Sequence, residues 1–309
     1  MSFNDNVRLD TSQVEAGGGG GRVPGGMVVG GGLGGIVLLI LGLIFGINPA
    51  DLPTGGSGGS LPGGSTGQVD TNTATNGSDA FAQCKTGADT KTNDQCLVIG
   101  TVNSVQAFWA GELPRYGKTW RATKTRLYQG SDQSACGTAS NQVGPFYCPL
   151  DQRVYIDASF FQLLTKRFGA DTGNLAKEYV VAHEYGHALQ DQLGLLGRAQ
   201  QGQTGPNSNG VRIELMADCL AGVWAQHASA TKDSSGTTFL KPLTDADIRS
   251  AMSAASAVGD DQIQAKTQGQ VTPETWTHGS AAARQKWFMT GYTKGDLNSC
   301  DTFAPATVE

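Results

Sequence analysis

The chain has 309 residues, a formal net charge of −5 and 44 glycines. That length is enough for one well-buried domain, or two small ones, with additional segments. The acidic balance excludes proteins that hold nucleic acid on a strongly basic surface. Much of the glycine lies in roughly the first 80 residues, so the N-terminal quarter is expected to lie outside the folded core.

Composition divides this first quarter into three segments. Residues 1–25 are polar and glycine-rich, which predicts a disordered cytoplasmic tail. Residues 26–47 carry no charge over a length that can cross a bilayer, which predicts a transmembrane helix. Residues 48–78 are rich in Gly, Ser, Pro and Thr, which is typical of a flexible linker. The folded domain is then expected over residues 79–309.

The charges on either side of residues 26–47 set the expected orientation. Arg8 and Arg22 precede this segment and Asp51 follows it, which favours an N-terminus in the cytoplasm. Small residues spaced four apart in the segment also permit a homodimer through the helix. The expected localisation is the cytoplasmic membrane, crossed once, with the C-terminal domain in the periplasm or at the cell exterior.

The six cysteines all lie beyond residue 80, and none forms a Cys-x-x-Cys pair. This pattern disfavours a thiolate zinc site and favours three disulfides in an oxidising compartment. Fifteen connectivities are possible for six cysteines. The pairs Cys84–Cys96 and Cys136–Cys148 would each close a short polar loop, and Cys219–Cys300 follows by elimination. Free buried thiols in a cytosolic protein are the alternative.

Periodicity predicts an α+β domain that is mainly helical with a few strands. The run from Cys96 to Leu113 begins with a β-like pattern and continues as a helix. A strand is expected at residues 154–157. Apolar spacing and capping residues then predict helices over 158–168, 174–194, about 211–228, the stretch after the N-cap Thr244, and about 280–291.

One of these helices carries the sequence His183-Glu184-Tyr185-Gly186-His187, an H-E-x-x-H motif. Residues i and i+4 lie one turn apart on the same helix face, so the two imidazoles can bind one metal ion. Glu184 lies close enough to accept a proton from a water that attacks a carbonyl. Gly186 leaves room for a backbone or a substrate near the metal. The alternative is a surface helix with a chance pair of histidines.

A catalytic zinc site usually has three protein ligands, and Glu214 is the expected third. It lies on the next predicted helix among apolar neighbours, where a buried carboxylate needs a partner. Asp218 is one turn further on and is expected to accept a hydrogen bond from a histidine ligand. The alternative for both residues is a solvated acidic helix face.

Three further residues are candidates near the site. His278 begins a helix in a polar turn, where it is expected either to bind the developing oxyanion or to cap local backbone. His227 is expected to face the negative end of its helix. Arg284 is a candidate partner for a buried carboxylate such as Asp260 or Asp261.

Together these stretches resemble the bacterial family of neutral zinc metallopeptidases. The resemblance covers most of residues 80–301. Its segments are Gly144–Pro149, Val154–Asp157, Ala182–Gln190, Glu214–Ala225 and Thr277–Ser280, followed by Trp287-Phe288 and Gly291-Tyr292. It implies a zincin-like fold behind an N-terminal anchor, with Glu214 as the third zinc ligand in an E-x-x-x-D run and Asp218 as its helper.

The sequence therefore predicts a membrane-anchored peptidase that uses Zn²⁺ and acts on a peptide or protein substrate, with no nucleic-acid partner. His183, His187 and Glu214 are the expected ligands, and Glu184 and His278 the expected catalytic residues. Two other functions fit the same residues. One is a zinc-bearing binding or scaffold protein without turnover, and the other is a metallohydrolase of cell-wall amides.

Overall fold

The computed structural model describes residues 2–18, 77–141, 143–201 and 204–309. The fold is mixed α/β, and about half of it is helical. The strands are β1 Val14–Ala16, β2 Lys124–Tyr128, β3 Ser131–Ser134, β4 Gly137–Ser140, β5 Phe146–Cys148 and β6 Arg153–Asp157. The helices of at least two turns are α1 Asp94–Glu112, α2 Phe160–Phe168, α3 Asn174–Gln192, α4 Asn209–His227, α5 Asp245–Ala257, α6 Asp260–Gln268 and α7 Ala281–Lys294.

Four strands form one sheet in the order β1-β2-β6-β5. Strands β1, β2 and β6 are parallel, and β5 runs antiparallel to β6 at the sheet edge. Strands β3 and β4 form a separate antiparallel hairpin. The prediction of a mainly helical domain is therefore corrected, because only about half of the fold is helical and the helices pack against a mostly parallel sheet.

The N-terminal segment is folded into the domain, so the predicted disordered tail is wrong for residues 2–18. Phe3, Val7 and Val14 are fully buried in the main core. Phe3 packs on α1 where Gly100 leaves space, since a Cβ atom there would lie 2.8 Å from its ring. The β1 strand was not anticipated, because three residues are too few to give a recognisable periodicity.

This packing also corrects the predicted localisation. A single crossing at residues 26–47 would place residues 2–18 and the C-terminal domain on opposite sides of a membrane, yet β1 pairs with β2 in one sheet. Among the helices of the described ranges, none is long and apolar enough to cross a membrane. The predicted transmembrane helix itself, its homodimer contact and nearly all of the predicted linker lie outside the described residues.

Other predictions of local structure fare better. The three disulfides Cys84–Cys96, Cys136–Cys148 and Cys219–Cys300 are all present. Strand β6 and the helices α2 to α5 and α7 lie within a few residues of their predicted positions. The β-like start at Cys96 is instead part of α1, which is buried on nearly all sides. A continuous apolar run fits a buried helix as well as a buried strand.

Two glycine contacts set how the central helices approach one another. A Cβ atom on Gly186 of α3 would lie 3.1 Å from the Cα and the carbonyl oxygen of Ala217 on α4. A Cβ atom on Gly291 of α7 would lie 1.9 Å from the carbonyl oxygen of Cys219. The space at Gly186 therefore admits the backbone of α4. These contacts hold α3, α4 and α7 close together around the polar side chains described below.

Glu178 of α3 is fully buried, and neither of its carboxylate oxygens has a hydrogen-bond partner among the described residues. Burial, reinforced by Asp247, raises the pKa of Glu178 to about 8. In the unfolded chain this carboxyl loses its proton near its ordinary pKa of about 4.3. Folding therefore becomes less favourable as the pH rises from that value through about 8.

We expect Glu178→Gln to stabilise the protein near neutral pH and to have little effect in acid. At about pH 7.5 the gain in unfolding free energy is expected to approach about 3 to 4 kcal/mol, at about 1.4 kcal/mol per pKa unit. Urea unfolding at about pH 7.5 and at about pH 4 measures this change in unfolding free energy. The matched control is Glu274→Gln, because Glu274 is exposed. An equal effect at both pH values contradicts an ionisation penalty at Glu178.

Candidate metal centre and active site

Helices α3 and α4 bring the predicted metal ligands together. His183 and His187 lie one turn apart on α3, and Glu214 lies on α4. The close approach of the two helices at Gly186 and Ala217 places Glu214 directly opposite the two imidazoles. One ligand atom from each of the three residues lies within 4.8 Å of the other two.

The distance from each imidazole to the Glu214 carboxylate fits a zinc ion. Nε2 of His183 lies 3.2 Å from Oε2 of Glu214, and Nε2 of His187 lies 3.5 Å from Oε1 of Glu214. Atoms bound about 2.0–2.2 Å from one tetrahedral ion are about 3.4 Å apart. Two imidazoles and one carboxylate with a fourth position left open are the donor set typical of a catalytic zinc.

Hydrogen bonds to the other ring nitrogens fix the orientation of both imidazoles. Nδ1 of His183 lies 2.8 Å from Oδ1 of Asp218, and Nδ1 of His187 lies 2.8 Å from Oε1 of Gln190. Gln190 is itself held by a 2.7 Å hydrogen bond to the carbonyl of Ile213 on α4. Each Nδ1 therefore donates to a fixed acceptor, and each Nε2 is directed at the Glu214 carboxylate, where its lone pair would be available to a metal ion bound between them.

Gln190 was not anticipated from the sequence, although its position three residues after His187 was an available signal. Asp218, expected to accept a hydrogen bond from a histidine ligand, lies against Nδ1 of His183. It is fully buried and also accepts hydrogen bonds from Tyr179 and from Arg284, whose Nη2 lies 3.0 Å away. Arg284 therefore pairs with a buried carboxylate, as expected, but that carboxylate is Asp218 rather than either of the suggested examples, Asp260 and Asp261.

The charges of the two carboxylates on α4 are compensated. Burial acts to raise the pKa of Asp218, but Arg284 and His183 outweigh it and hold that pKa below its usual range. Burial likewise opposes the ionised form of Glu214, yet His187 and His278 hold its pKa well below its usual value. Both groups are thus acceptors, as a metal ligand and its supporting carboxylate must be.

Glu184 lies beside the metal centre and is nearly inaccessible to solvent. Burial raises its pKa, while His183, His187 and a hydrogen bond from the backbone N–H of Tyr147 act in the opposite direction. A carboxylate whose pKa is raised toward neutrality is a better proton acceptor than an ordinary glutamate.

His278 is buried beside the same site, and contacts to its Nδ1 fix the orientation of its ring. Its Nδ1 lies 2.8 Å from Oγ1 of Thr277 and 3.2 Å from Oδ1 of Asp260. The other oxygen of Asp260 accepts the backbone N–H groups of Thr277, His278 and Gly279. Nε2 of His278 has no hydrogen-bond partner among the described residues. Asp260 thus positions His278, a role that the sequence did not reveal.

The site opens into a cavity whose free space, including open solvent at its mouth, is about 780 Å³. His183, Glu184 and Glu214 line one part of it, together with His278 and Arg284. The remaining walls come from α2, α3, α6, the residue that follows α5 and the loop before β5. His227 lies elsewhere, with its Nε2 3.0 Å from the carbonyl of Gly295 beyond the end of α7.

Comparison with known proteins identifies similar chains. The model of a family described as "putative neutral zinc metallopeptidase" matches residues 2–303. An uncharacterized protein of Mycobacterium tuberculosis strain H37Rv is 55% identical over 227 residues, which span 73% of this chain and 76% of that protein. The uncharacterized protein YpfJ of Escherichia coli K12 is 33% identical over 310 residues, spanning 97% of this chain and 96% of its own. No solved structure matches the chain.

Proposed function

Because the chain belongs to the neutral zinc metallopeptidase family, we propose that it hydrolyses peptide bonds with a zinc ion held by His183, His187 and Glu214. One observation carries this proposal. Both histidines donate through Nδ1 to fixed acceptors, Asp218 and Gln190, which leaves both Nε2 atoms directed at the Glu214 carboxylate. A chance pair of surface histidines has no reason to be oriented in this way.

Zinc, when bound, polarises the scissile carbonyl and makes water more acidic. The oxygen of the attacking water bonds to the carbonyl carbon, and Glu184 accepts the proton that this water loses. Glu184 then gives that proton to the leaving amine as the carbon–nitrogen bond breaks.

His278 is proposed to stabilise the negative charge that develops on the carbonyl oxygen. Burial lowers its pKa, but Glu214 and Asp260 outweigh this and raise it when no metal is bound, and Asp260 still favours the protonated imidazolium once Glu214 binds zinc. Nδ1–H then donates to Asp260, and Nε2–H is free to donate into the cavity. A donor of this kind placed at a developing oxyanion contributes about 100-fold or more to a rate.

The test is zinc-dependent cleavage of a mixed pool of unstructured peptides, followed by mass spectrometry. We expect the zinc-loaded chain to cleave the pool. Removal of the metal with a chelator should lower the rate at least about 100-fold, and added zinc should restore it. Magnesium is the matched control, because it prefers oxygen ligands and should restore nothing.

Two outcomes contradict the proposal. Cleavage that persists after the metal is removed would exclude zinc as the source of activity. A zinc-loaded chain that leaves every peptide intact would favour a zinc-bearing binding protein. Cell-wall fragments serve as a second substrate pool. Cleavage of these fragments and not of the peptides would identify a metallohydrolase of cell-wall amides.

A further inference from the structure

The cavity beside the metal centre has an apolar part that the proposed chemistry does not use. Its walls there are the side chains of Phe160, Phe168, Val180, Val258 and Ile263. Val180 precedes His183 and Glu184 by about one turn on α3, so it faces the same side of the helix. The apolar walls therefore begin directly next to the residues proposed to carry the reaction.

Two polar residues also line this part of the cavity, but their polar groups are already bound. Oε1 of Gln264 accepts hydrogen bonds from the Thr272 N–H and the Trp276 indole, and its amide nitrogen donates to Thr275. Asp260 accepts three backbone N–H groups and faces His278. Most of the hydrogen-bonding capacity of both residues is therefore taken up within the protein.

Among the described residues that line the cavity, no charged group is left uncommitted for a charged substrate side chain. His278 is assigned to the developing oxyanion, and Arg284, whose Nη2 lies 3.0 Å from Asp218, is already paired. Glu184 and Glu214 are committed to the proton transfer and the metal. An acidic or basic substrate side chain would therefore lose its hydration without gaining a partner, which is costly.

We propose that this cavity binds a bulky apolar side chain, such as Leu or Phe, next to the scissile bond. The inference rests on the proposed function, and it names the substrate class of the same site. The gain from burying such a side chain should favour it about 10- to 100-fold over Ala, Asp or Lys at that position. Val180 is the residue whose size should set this preference.

The test separates binding from turnover. The full chain carrying Glu184→Gln is loaded with zinc and titrated with blocked heptapeptides that differ only at the central residue: Leu, Phe, Ala, Asp or Lys. Calorimetry gives the Kd of each. Adding Val180→Phe to the Glu184→Gln chain fills the cavity. The Kd values of the Leu and Phe peptides should then rise to that of the Ala peptide. Val180→Ala enlarges the cavity and should favour Phe over Leu.

Val271→Phe is the matched control, because Val271 is 44% exposed and does not line the cavity. It should leave every Kd unchanged. The inference is overturned if the Leu and Phe peptides bind no more tightly than the Ala, Asp and Lys peptides. It is also overturned if none of the peptides binds. It is also overturned if the preference is the same in both folded Val180 variants. If Leu and Phe peptides bind preferentially but the zinc-loaded wild-type chain cleaves none, the proposed function alone fails.

Discussion

Glu184→Gln is expected to abolish peptide hydrolysis while leaving zinc bound. The glutamine keeps the size of the side chain but cannot accept the proton of the attacking water. General acid–base groups contribute about 100- to 10,000-fold to rates, so kcat should fall by at least about 100-fold. Zinc content, measured by elemental mass spectrometry, should stay at one ion per chain because Glu184 is not one of the three grouped ligands.

Exposed Glu274→Gln is the matched control for this substitution and should leave kcat unchanged. The two readouts together distinguish base catalysis from damage to the site. A Glu184→Gln chain that retains zinc and full activity would remove Glu184 from the mechanism. A variant that loses both zinc and activity would instead assign Glu184 to the metal centre.

The double variant His183→Ala/His187→Ala is expected to lose zinc altogether. Only Glu214 of the three ligands remains, and a single carboxylate does not hold zinc against competing water and buffer. Elemental analysis should give about one zinc per wild-type chain and a background level in the variant. The fold should persist, because Arg284 still pairs with Asp218 and three disulfides remain.

His227→Ala is the matched control, since this histidine contacts the Gly295 carbonyl and stacks on Phe108 away from the site. Its zinc content should equal that of the wild type. Wild-type protein that binds no transition metal even after zinc is supplied would refute the metal centre. Zinc that stays bound in the double variant would place the site elsewhere.

Much of the centre is visible in the sequence because its parts are local. The H-E-x-x-H motif and the E-x-x-x-D run each lie on one helix, where residue spacing alone fixes which side chains share a face. The spacing indicates that Glu214 is a candidate ligand, but its distance from the imidazoles depends on how α3 and α4 pack. That packing depends on Gly186 and Ala217, whose contact no periodicity reveals.

Two of the roles that the sequence did not reveal join residues that are well separated in the chain. Asp260, at the start of α6, positions His278 18 residues away, and Arg284 reaches Asp218, 66 residues away, across the α4–α7 contact. Each of these charged residues has several possible partners in the sequence, and only the three-dimensional packing selects one. The β1 strand was missed for a related reason, because its pairing partner lies more than a hundred residues away.

The pairing of β1 with β2 makes this a discontinuous domain, in which residues 19–76 connect two parts of one folding unit. A chain begun at residue 79 would leave β2 as a bare sheet edge and empty the space that Phe3 fills beside Gly100. The two anchoring ends of this connection are therefore constrained by the fold, because the β1–β2 pairing needs both of them in place.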